Sequence, residues 1–151
     1  MSEGNHTYLT AHLPLLGKKL ESHIHTEMHP LRDLQIMGDL NVRVARSNIH
    51  LAFPNTNHKV FTTNQSKDGN QDRRGNKLLS LLQSNHLSIL NGSSVNDSLG
   101  SFTSYSFNGA SIIDLAILSN HAAYLFQDMR VSSSIISDHM SIQVTVLYQT
   151  T

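Results

Sequence analysis

The chain contains no cysteine and no tryptophan, and only 15% of its 151 residues are charged. Without cysteine it can form neither disulfide bonds nor thiolate metal sites. Its 11 basic residues balance 11 acidic ones, so no overall positive field points to nucleic acid as a partner. No apolar run approaches the roughly 20 residues of a transmembrane helix, which argues against a membrane protein. The length fits one domain with a substantial core.

The spacing of apolar residues predicts two helices with a long loop between them. Apolar residues three and four apart predict a first helix over residues 8–28, or one that begins only after Leu13 with Pro14 in its first turn. Asp72 is a suitable N-cap for a second helix over residues 73–85, which has leucines along one face. Residues 42–71 lack sustained periodicity and predict a surface loop with at most one short strand, near Val60-Phe61.

Short strands are predicted before and after the second helix. They cover residues 34–38, 87–90, 101–107 and 111–118, then a segment that starts near Val131, and a last alternating segment from Met140 to Tyr148. Asn108-Gly109 is a hairpin turn signal that should join residues 101–107 to residues 111–118. The second of these strands is apolar on both faces except at Asp114, so we expect it to be buried on both sides. A short helix is predicted over residues 121–126, and a turn at Asn91-Gly92.

Three polar clusters lie at the ends of these strands or inside them. Asp39 and Asn41 follow the first strand, where a bound ligand and a simple turn explain them equally well. Asp114 lies inside an apolar strand, where a carboxylate needs a cation or a hydrogen-bond donor. His139, which follows Asp138, is the natural partner, because a histidine oriented by a carboxylate is a common catalytic pair. Taken alone, His139 would be a surface residue at the start of a strand.

In this order, the clusters resemble three motifs of the endonuclease/exonuclease/phosphatase superfamily. They are Gly38–Asn41 after a strand, Ser111–Asp114 within a strand and Ser137–His139 before the last strand. The superfamily includes apurinic-site repair endonucleases, deoxyribonuclease-I-like enzymes and the endonuclease domains of non-LTR retrotransposons. The segment Arg74–Leu79, leading to Asn91-Gly92, is similar to the helix–strand unit of the retrotransposon type.

The resemblance covers roughly residues 9–148 and therefore implies a single domain over residues 1–151. It implies an α/β (α+β) fold that is part of a four-layer α/β/β/α sandwich of the deoxyribonuclease-I-like type. It also implies hydrolysis of phosphodiester bonds in DNA with a divalent metal, Mg²⁺ or Mn²⁺. Oxygen ligands suit such a hard cation, which neutralises charge that develops on the phosphate. DNA is the expected partner, together with a reverse transcriptase module in the parent element.

The resemblance also implies a role for each motif residue. Asp39 would orient or deprotonate the attacking water, and Asn41 would donate a hydrogen bond to a phosphate oxygen. Asp114 would fix the tautomer of His139 and favour its protonated form, which stabilises the developing phosphorane. Asp138 would serve the metal, directly or through water. The remaining candidates, which would contact the phosphate or brace the other residues, are Thr103 and Ser137.

The departure from the family pattern concerns glutamate. The first half of such a domain supplies an early asparagine and a glutamate that is the principal metal ligand. This chain has three glutamates, Glu3, Glu21 and Glu27, and none follows a predicted strand. We therefore expect a truncated domain that begins at a fortuitous Met1, lacks the N-terminal half and binds metal weakly. A half-sandwich should also expose a large apolar face of its sheet.

Three functions stay open on the sequence. The first is a weakly active or inactive fragment of a retrotransposon-type DNA endonuclease, with a basic rim for nucleic acid. The second is a phosphatase of the same superfamily that acts on inositol or lipid phosphates, because the metal chemistry is shared. The third is a non-catalytic remnant or binding module. The basic residues that could form the rim are Arg43, Arg46, Lys67, Arg73, Arg74 and Lys77.

Overall fold

The computed structural model describes residues 6–9, 35–46, 65–134 and 136–147. The strands in these ranges are β1 (His6–Leu9), β2 (Gln35–Asp39), β3 (Leu87–Ile89), β4 (Ser104–Ser106), β5 (Gly109–Ser111), β6 (Asp114–Ser119), β7 (Phe126–Ser132) and β8 (Ser141–Leu147). The helices there are α1 (Arg73–Ser84) and the short 3₁₀ helices Val95–Asp97 and Asn120–Leu125. No helix in these ranges combines the length and the apolar character that crossing a membrane requires.

The strands form two three-stranded sheets and a separate hairpin. The order in the first, which we call the central sheet, is β2–β6–β3, and the order in the second, the outer sheet, is β1–β8–β7. The hairpin consists of β4 and β5, and all of these strand pairs are antiparallel. In the central sheet, Asp39 at the end of β2 lies opposite Asp114 at the start of β6.

The central sheet is covered on both faces. One face packs against α1 through an apolar cluster that includes Leu82 and Ile117. The other face packs against the outer sheet through a cluster that includes Ala116 and Met129. All six residues of β6 are buried in the middle of this arrangement. This confirms the prediction that the strand with Asp114 is buried on both sides, and it gives the described residues three layers.

The second predicted helix is confirmed as α1. Asp72 is its N-cap, and the carboxylate of Asp72 accepts a hydrogen bond from Gly75 N at 2.6 Å. Leu78 and Leu82 are buried on the face that meets the central sheet. The first turn of α1 passes very close to Arg43, because a Cβ atom added at Gly75 would lie 1.9 Å from Arg43 O. Glycine at this position therefore lets the start of α1 dock onto the segment that follows β2.

The predicted turn at Asn91-Gly92 is confirmed, and Gly92 lies against the segment that begins at Gln65. Gly92 has a φ of +72° and Gly100 a φ of +63°, both in the left-handed region that favours glycine. A Cβ atom at Gly92 or at Gly100 would lie 1.9 or 2.1 Å from Gln65 O. Gln65 N donates to Gly92 O at 2.9 Å, and Lys67 N donates to Gly100 O at 3.0 Å. Part of the loop predicted over residues 42–71 is therefore held against this turn.

A start of the first predicted helix at residue 8 is wrong, whereas the alternative start after Leu13 lies outside the described residues. Residues 6–9 form β1, which pairs with β8 in a register that sets His6 opposite Leu147. Leucine spacing alone does not show where a helix starts, and extended backbone at this point gains hydrogen bonds from the edge of β8. The rest of that helix, residues 10–28, lies outside the described residues, as do Val60-Phe61 and the three glutamates.

The predicted hairpin is confirmed only in part. β4 and β5 pair in a register that sets Ser104 opposite Ser111, but each strand has three residues. The strand predicted over residues 111–118 is split, and β6 pairs with β2 and β3 instead. An isolated hairpin would leave the apolar run of β6 in water, whereas the middle of a sheet buries both of its faces.

The last two predicted strands lie side by side in the outer sheet. β7 begins at Phe126 rather than near Val131, so the predicted start is wrong by several residues. It follows directly on the 3₁₀ helix Asn120–Leu125, which confirms the predicted short helix. β8 confirms the last prediction, because Val144 and Val146 are buried. The proposed end of that strand, Tyr148, lies outside the described residues.

The outward face of the outer sheet is polar where β7 pairs with the first residues of β8. Arg130 lies opposite Gln143, and Ser132 lies opposite Ser141, on the side away from the core. The large apolar face expected of a half-sandwich is therefore absent from this β7–β8 surface. The strands alternate polar and apolar residues, as antiparallel strands with one solvated face do.

A buried ion pair fastens part of the long loop to the rest of the chain. The carboxylate of Asp68, which is 2% exposed, accepts hydrogen bonds from Arg43 Nε at 2.9 Å and Nη2 at 2.6 Å. Asn70 N and Ile112 N each donate to it at 3.0 Å. Burial alone would raise the pKa of Asp68, but these hydrogen bonds and the Arg43 charge outweigh burial and lower the pKa below its ordinary value.

The lowered pKa of Asp68 predicts a pH-dependent contribution to stability. Because the pKa is lower in the folded than in the unfolded chain, the ionised carboxylate stabilises the fold above about pH 4, near the ordinary aspartate value. That contribution disappears as the pH falls through the lower, folded value. We expect Asp68→Asn to reduce the free energy of unfolding by about 1–3 kcal/mol near neutral pH and by less in acid. Urea unfolding of both proteins measures this, and a difference that does not change with pH would contradict it.

Candidate functional site

The register of the central sheet places two carboxylates side by side. Asp39 is the last residue of β2, one residue beyond the predicted strand, and it lies opposite Asp114, the first residue of β6. Directly opposed residues of an antiparallel pair share one face of the sheet. Leu40 N donates to Ile113 O at 3.0 Å, which continues the contact between the two segments past the end of the strands. Both carboxylates therefore project from the same end of the sheet.

His139 reaches this end of the sheet along the hairpin. Tyr105 N donates to Asp138 O at 2.8 Å, and Met140 N donates to Thr103 O at 2.7 Å. These bonds hold the segment around His139 beside β4 in an antiparallel bridge. The imidazole Nδ1 lies 2.9 Å from Asp114 Oδ2 and 3.1 Å from Asp114 Oδ1. The structure therefore brings together His139 and Asp114, the pair that the sequence suggested.

The contact with Asp114 favours a proton on Nδ1 of His139. An ionised carboxylate can only accept, so Nδ1–H donates and Nε2 remains available for chemistry. Burial would lower the pKa of His139, but the hydrogen bond and the negative charge of Asp114 outweigh it and raise the pKa above its ordinary value. The charges of Asp39 and Asp138 add to this increase. The imidazolium form therefore persists to a higher pH than in a free histidine.

The pKa of the Asp114 carboxyl group is also raised above its ordinary value. Burial raises the pKa of Asp114, against the lowering effect of hydrogen bonds with His139 and Thr103. The nearby charge of Asp39 acts in the same direction as burial. Both members of the pair thus hold protons more strongly than isolated side chains do.

Two buried side chains brace the backbone at Asp114. Thr103 Oγ1, fully buried, accepts hydrogen bonds from Ile113 N at 3.1 Å and Asp114 N at 3.0 Å. On the other side, Asn91 Nδ2 donates to Asp114 O at 3.1 Å, and Asn91 Oδ1 accepts from Ala116 N at 2.9 Å. Thr103 was a candidate from the sequence, whereas Asn91 was interpreted as a turn residue only. The sequence feature that could have indicated this role is the position of Asn91 directly after a buried strand and next to Gly92.

The other candidates occupy the edge of the cluster. Ser137 Oγ accepts a hydrogen bond from His139 N at 3.0 Å and so braces that residue. Asn41 N donates to Asp39 Oδ1 at 2.8 Å, which orients the carboxylate. Asn41 has a φ of +49°, so the chain turns here and the strand alternation expected for residues 39–41 does not hold. The side chains of Asn41 and Asp138 are exposed.

The three central residues have the donor set of a divalent-cation site. One ligand atom from each of Asp39, Asp114 and His139 can be chosen so that all lie within 4.8 Å of one another. Carboxylate oxygens suit hard cations such as Mg²⁺, and an imidazole nitrogen is accepted more readily by transition metals such as Mn²⁺. Asp138, the ligand suggested from the sequence, is not part of this group.

Comparison with known proteins bears on the fold. One solved structure, the endonuclease domain of TRAS1, a telomere-specific non-LTR retrotransposon, superposes with a TM-score of 0.55 and 23% sequence identity. The alignment covers 89% of this chain and 51% of the TRAS1 domain, so the chain spans about half the length of that structure. No family model and no curated protein matches the sequence. The similarity is therefore one of fold, a mixed α and β arrangement of the nuclease type.

Proposed function

We propose that this chain is part of a DNA endonuclease domain that depends on a divalent metal, of the endonuclease/exonuclease/phosphatase type found in non-LTR retrotransposons. Residues 1–151 would form one unit of that domain, and the three described layers would belong to a four-layer α/β/β/α sandwich. The observation that carries the proposal is the convergence of Asp39, Asp114 and His139 from three distant segments. The similarity in fold to the TRAS1 endonuclease domain supports it.

In the proposed reaction, Asp39 orients the attacking water and accepts its proton. The hydrogen bond from Asn41 N already holds one oxygen of this carboxylate, which leaves the other for the water. The exposed side chain of Asn41, at the same strand end, donates to a phosphate oxygen. Positioning a nucleophile in this way accelerates a displacement at phosphorus because less orientational freedom is lost on the way to the transition state.

His139 stabilises the negative charge that develops on the phosphate. Asp114 accepts from Nδ1, so Nε2 is the atom that donates to a phosphate oxygen. The raised pKa of His139 keeps this donor protonated at higher pH than in a free histidine. Fixed donors aimed at developing charge are among the strongest contributors to catalysis. Thr103 and Ser137 act by bracing Asp114 and His139 rather than by touching the phosphate.

A metal would occupy the same end of the sheet. When bound, Mg²⁺ or Mn²⁺ neutralises charge on the phosphate. Asp39 and Asp114 can supply carboxylate oxygens to it, and Asp138, beside His139, would add another directly or through water. Two or three protein ligands form a weak site. Mg²⁺ is often bound in this way, by one or two carboxylates together with the phosphates of the substrate.

DNA is the proposed substrate because the hairpin beside His139 exposes aromatic rings and the start of α1 exposes a basic side chain. Tyr105 and Phe107 on the hairpin are 50% and 106% exposed, and such rings can stack on bases. The backbone of Asp138 is bonded to that hairpin, so the aromatic pair lies on the element that is paired with the segment of His139. Arg74, 63% exposed at the start of α1, can contact phosphates.

Nicking of supercoiled plasmid tests the proposal. The chain should convert supercoiled to relaxed plasmid in Mg²⁺ or Mn²⁺, and a chelator should abolish this. Asp138→Ala should nick more slowly, because it removes a proposed metal ligand, and the loss should shrink as the metal concentration rises. Inositol phosphates and lipid phosphates are offered in parallel to each protein.

Each other outcome selects a different function. If the unsubstituted chain nicks plasmid no faster than Asp138→Ala does at every metal concentration tested, the result favours a non-catalytic binding module. Release of phosphate from inositol or lipid phosphates without nicking would favour a phosphatase with the same site chemistry.

A further inference from the structure

Asp68 is a buried charge outside the three motifs that form the proposed site. It is 2% exposed, and its carboxylate accepts four hydrogen bonds. Arg43 supplies two of them through Nε and Nη2, and the backbone amides of Asn70 and Ile112 supply the other two. A buried ionised carboxylate requires such compensation, and this one is fully engaged.

Two partners of Asp68, Arg43 and Ile112, belong to the segments that carry Asp39 and Asp114. Arg43 comes two residues after Asn41, and Ile112 comes two residues before Asp114. Beyond the backbone contact between Leu40 N and Ile113 O, the Asp68 carboxylate bridges these segments. Asp68 is 25 positions from Arg43 and 44 positions from Ile112 along the chain. It therefore joins the segment that follows Asp39 to the segment that precedes Asp114.

Arg43 is itself held in place from the other side. Asp72 N, at the start of α1, donates to Arg43 O at 3.1 Å, and Gly75 packs against the same carbonyl group. The guanidinium meets Asp68 with two parallel hydrogen bonds, a geometry that restricts orientation as well as distance. The segment after Asn41 is thus clamped between α1 and Asp68. The Nε and Nη2 groups of Arg43 are consequently engaged within the protein.

We propose that Asp68, through Arg43 and Ile112 N, is a positioning residue that sets how the Asp39 segment lies against Asp114. This rests on the proposed function, because it assigns Asp68 to the geometry of the same site. Apolar packing can often replace a buried ion pair without loss of stability, whereas the paired hydrogen bonds of Arg43 and Asp68 also fix direction. Reacting groups displaced by about 1 Å can lose roughly 10²-fold in rate. Loss of Asp68 should therefore weaken catalysis more than its effect on folding explains.

The alternative is that Asp68 serves only to stabilise the loop around residues 65–71. A matched control is Ser94, which is also fully buried and makes two hydrogen bonds with the backbone of Met129 in β7. Ser94→Ala removes both bonds at a place that does not touch the site. Asp68→Asn and Ser94→Ala should both lower stability, so their comparison separates a loss of folding from a loss of positioning.

The experiment measures urea unfolding, steady-state nicking and amide hydrogen exchange for the three proteins. At a temperature where all are folded, Asp68→Asn should reduce kcat by about 10²-fold with KM nearly unchanged, and Ser94→Ala should leave kcat unchanged. In Asp68→Asn, exchange at the amides of Ile112, Ile113 and Asp114 should accelerate more than the fall in global stability accounts for. In Ser94→Ala, exchange at these amides should accelerate only as much as the fall in global stability accounts for.

The proposal is overturned if Asp68→Asn lowers kcat no more than Ser94→Ala, or if exchange at those amides follows global stability in both variants. If the unsubstituted chain does not nick DNA, the proposed function fails, and the exchange measurement still decides whether Asp68 positions the two segments. Should Asp68→Asn not fold, Arg43→Lys takes its place, because it keeps the charge but loses the paired contact. The same excess of exchange and loss of kcat are expected from it.

Discussion

Replacing Asp114 with asparagine should slow metal-dependent nicking by roughly 10²- to 10⁴-fold, the usual contribution of a positioned proton donor. Asparagine keeps the size of the side chain, so the two sheets should still form. It removes the charge that raises the pKa of His139, and its amide group no longer selects the Nδ1–H tautomer. The imidazole then loses its proton at a lower pH, and its Nε2 is a poorer donor to the phosphate.

The pH profile distinguishes this explanation from a loss of folding. Asp114 raises the pKa of His139. As the pH increases, the remaining activity of Asp114→Asn should therefore disappear at a lower pH than the activity of the unsubstituted chain does. Asp128→Asn is the matched control, since Asp128 pairs with Arg130 on the outward side of β7 and lies away from the site. That control should nick at the unsubstituted rate. Equal rates for Asp114→Asn and the unsubstituted chain across the pH range would remove His139 and Asp114 from the reaction.

The sequence located the polar clusters because each depends on local order along the chain. Asp114 stood out as a carboxylate in a continuous apolar run, and Asp72 as a cap before a leucine-rich face. Local patterns of this kind reflect side-chain direction and backbone capping, which a short segment determines by itself. The strand end at Asp39 was predicted to within one residue for the same reason.

The relation between the clusters could not be obtained from the same patterns. That Asp39 lies opposite Asp114 depends on the register of β2 and β6, which are more than 70 residues apart. A shift of one residue would send the side chains of one strand to the other face of the sheet. The pairing of β1 with β8, between the first and last described segments, is a similar case. It replaces the beginning of a predicted helix with a strand.

Asn91 and Asp68, two of the residues that brace the site, were missed because their types suit turns. Asn91 precedes a glycine, and Asp68 is in a polar stretch between two helical predictions, so a loop explained both. Their hydrogen bonds reach partners that are 23 and 44 residues away along the chain. Burial distinguishes them from ordinary turn residues, and burial is a property of the complete fold.

Leu82→Ala should cost about 2–5 kcal/mol of stability, the typical cost of a cavity left by a buried leucine. Leu82 is completely buried in the cluster between α1 and the central sheet, where it is grouped with Leu87 and Ile117. The start of α1 also holds Arg43, so the helix links the core to the site. We expect a large fall in the free energy of unfolding while the folded fraction keeps its kcat, because no contact at the site is removed.

The neighbouring residue supplies the control for this prediction. Leu81 is only partly buried at the side of the same cluster, so Leu81→Ala should cost clearly less. Urea unfolding followed by circular dichroism gives both values, and the two variants share helix propensity because each replaces leucine with alanine. Equal losses would mean that α1 does not seat Leu82 against β3 and β6. The docking of α1 on Arg43, and with it the support of the Asp39 segment, would then need a different explanation.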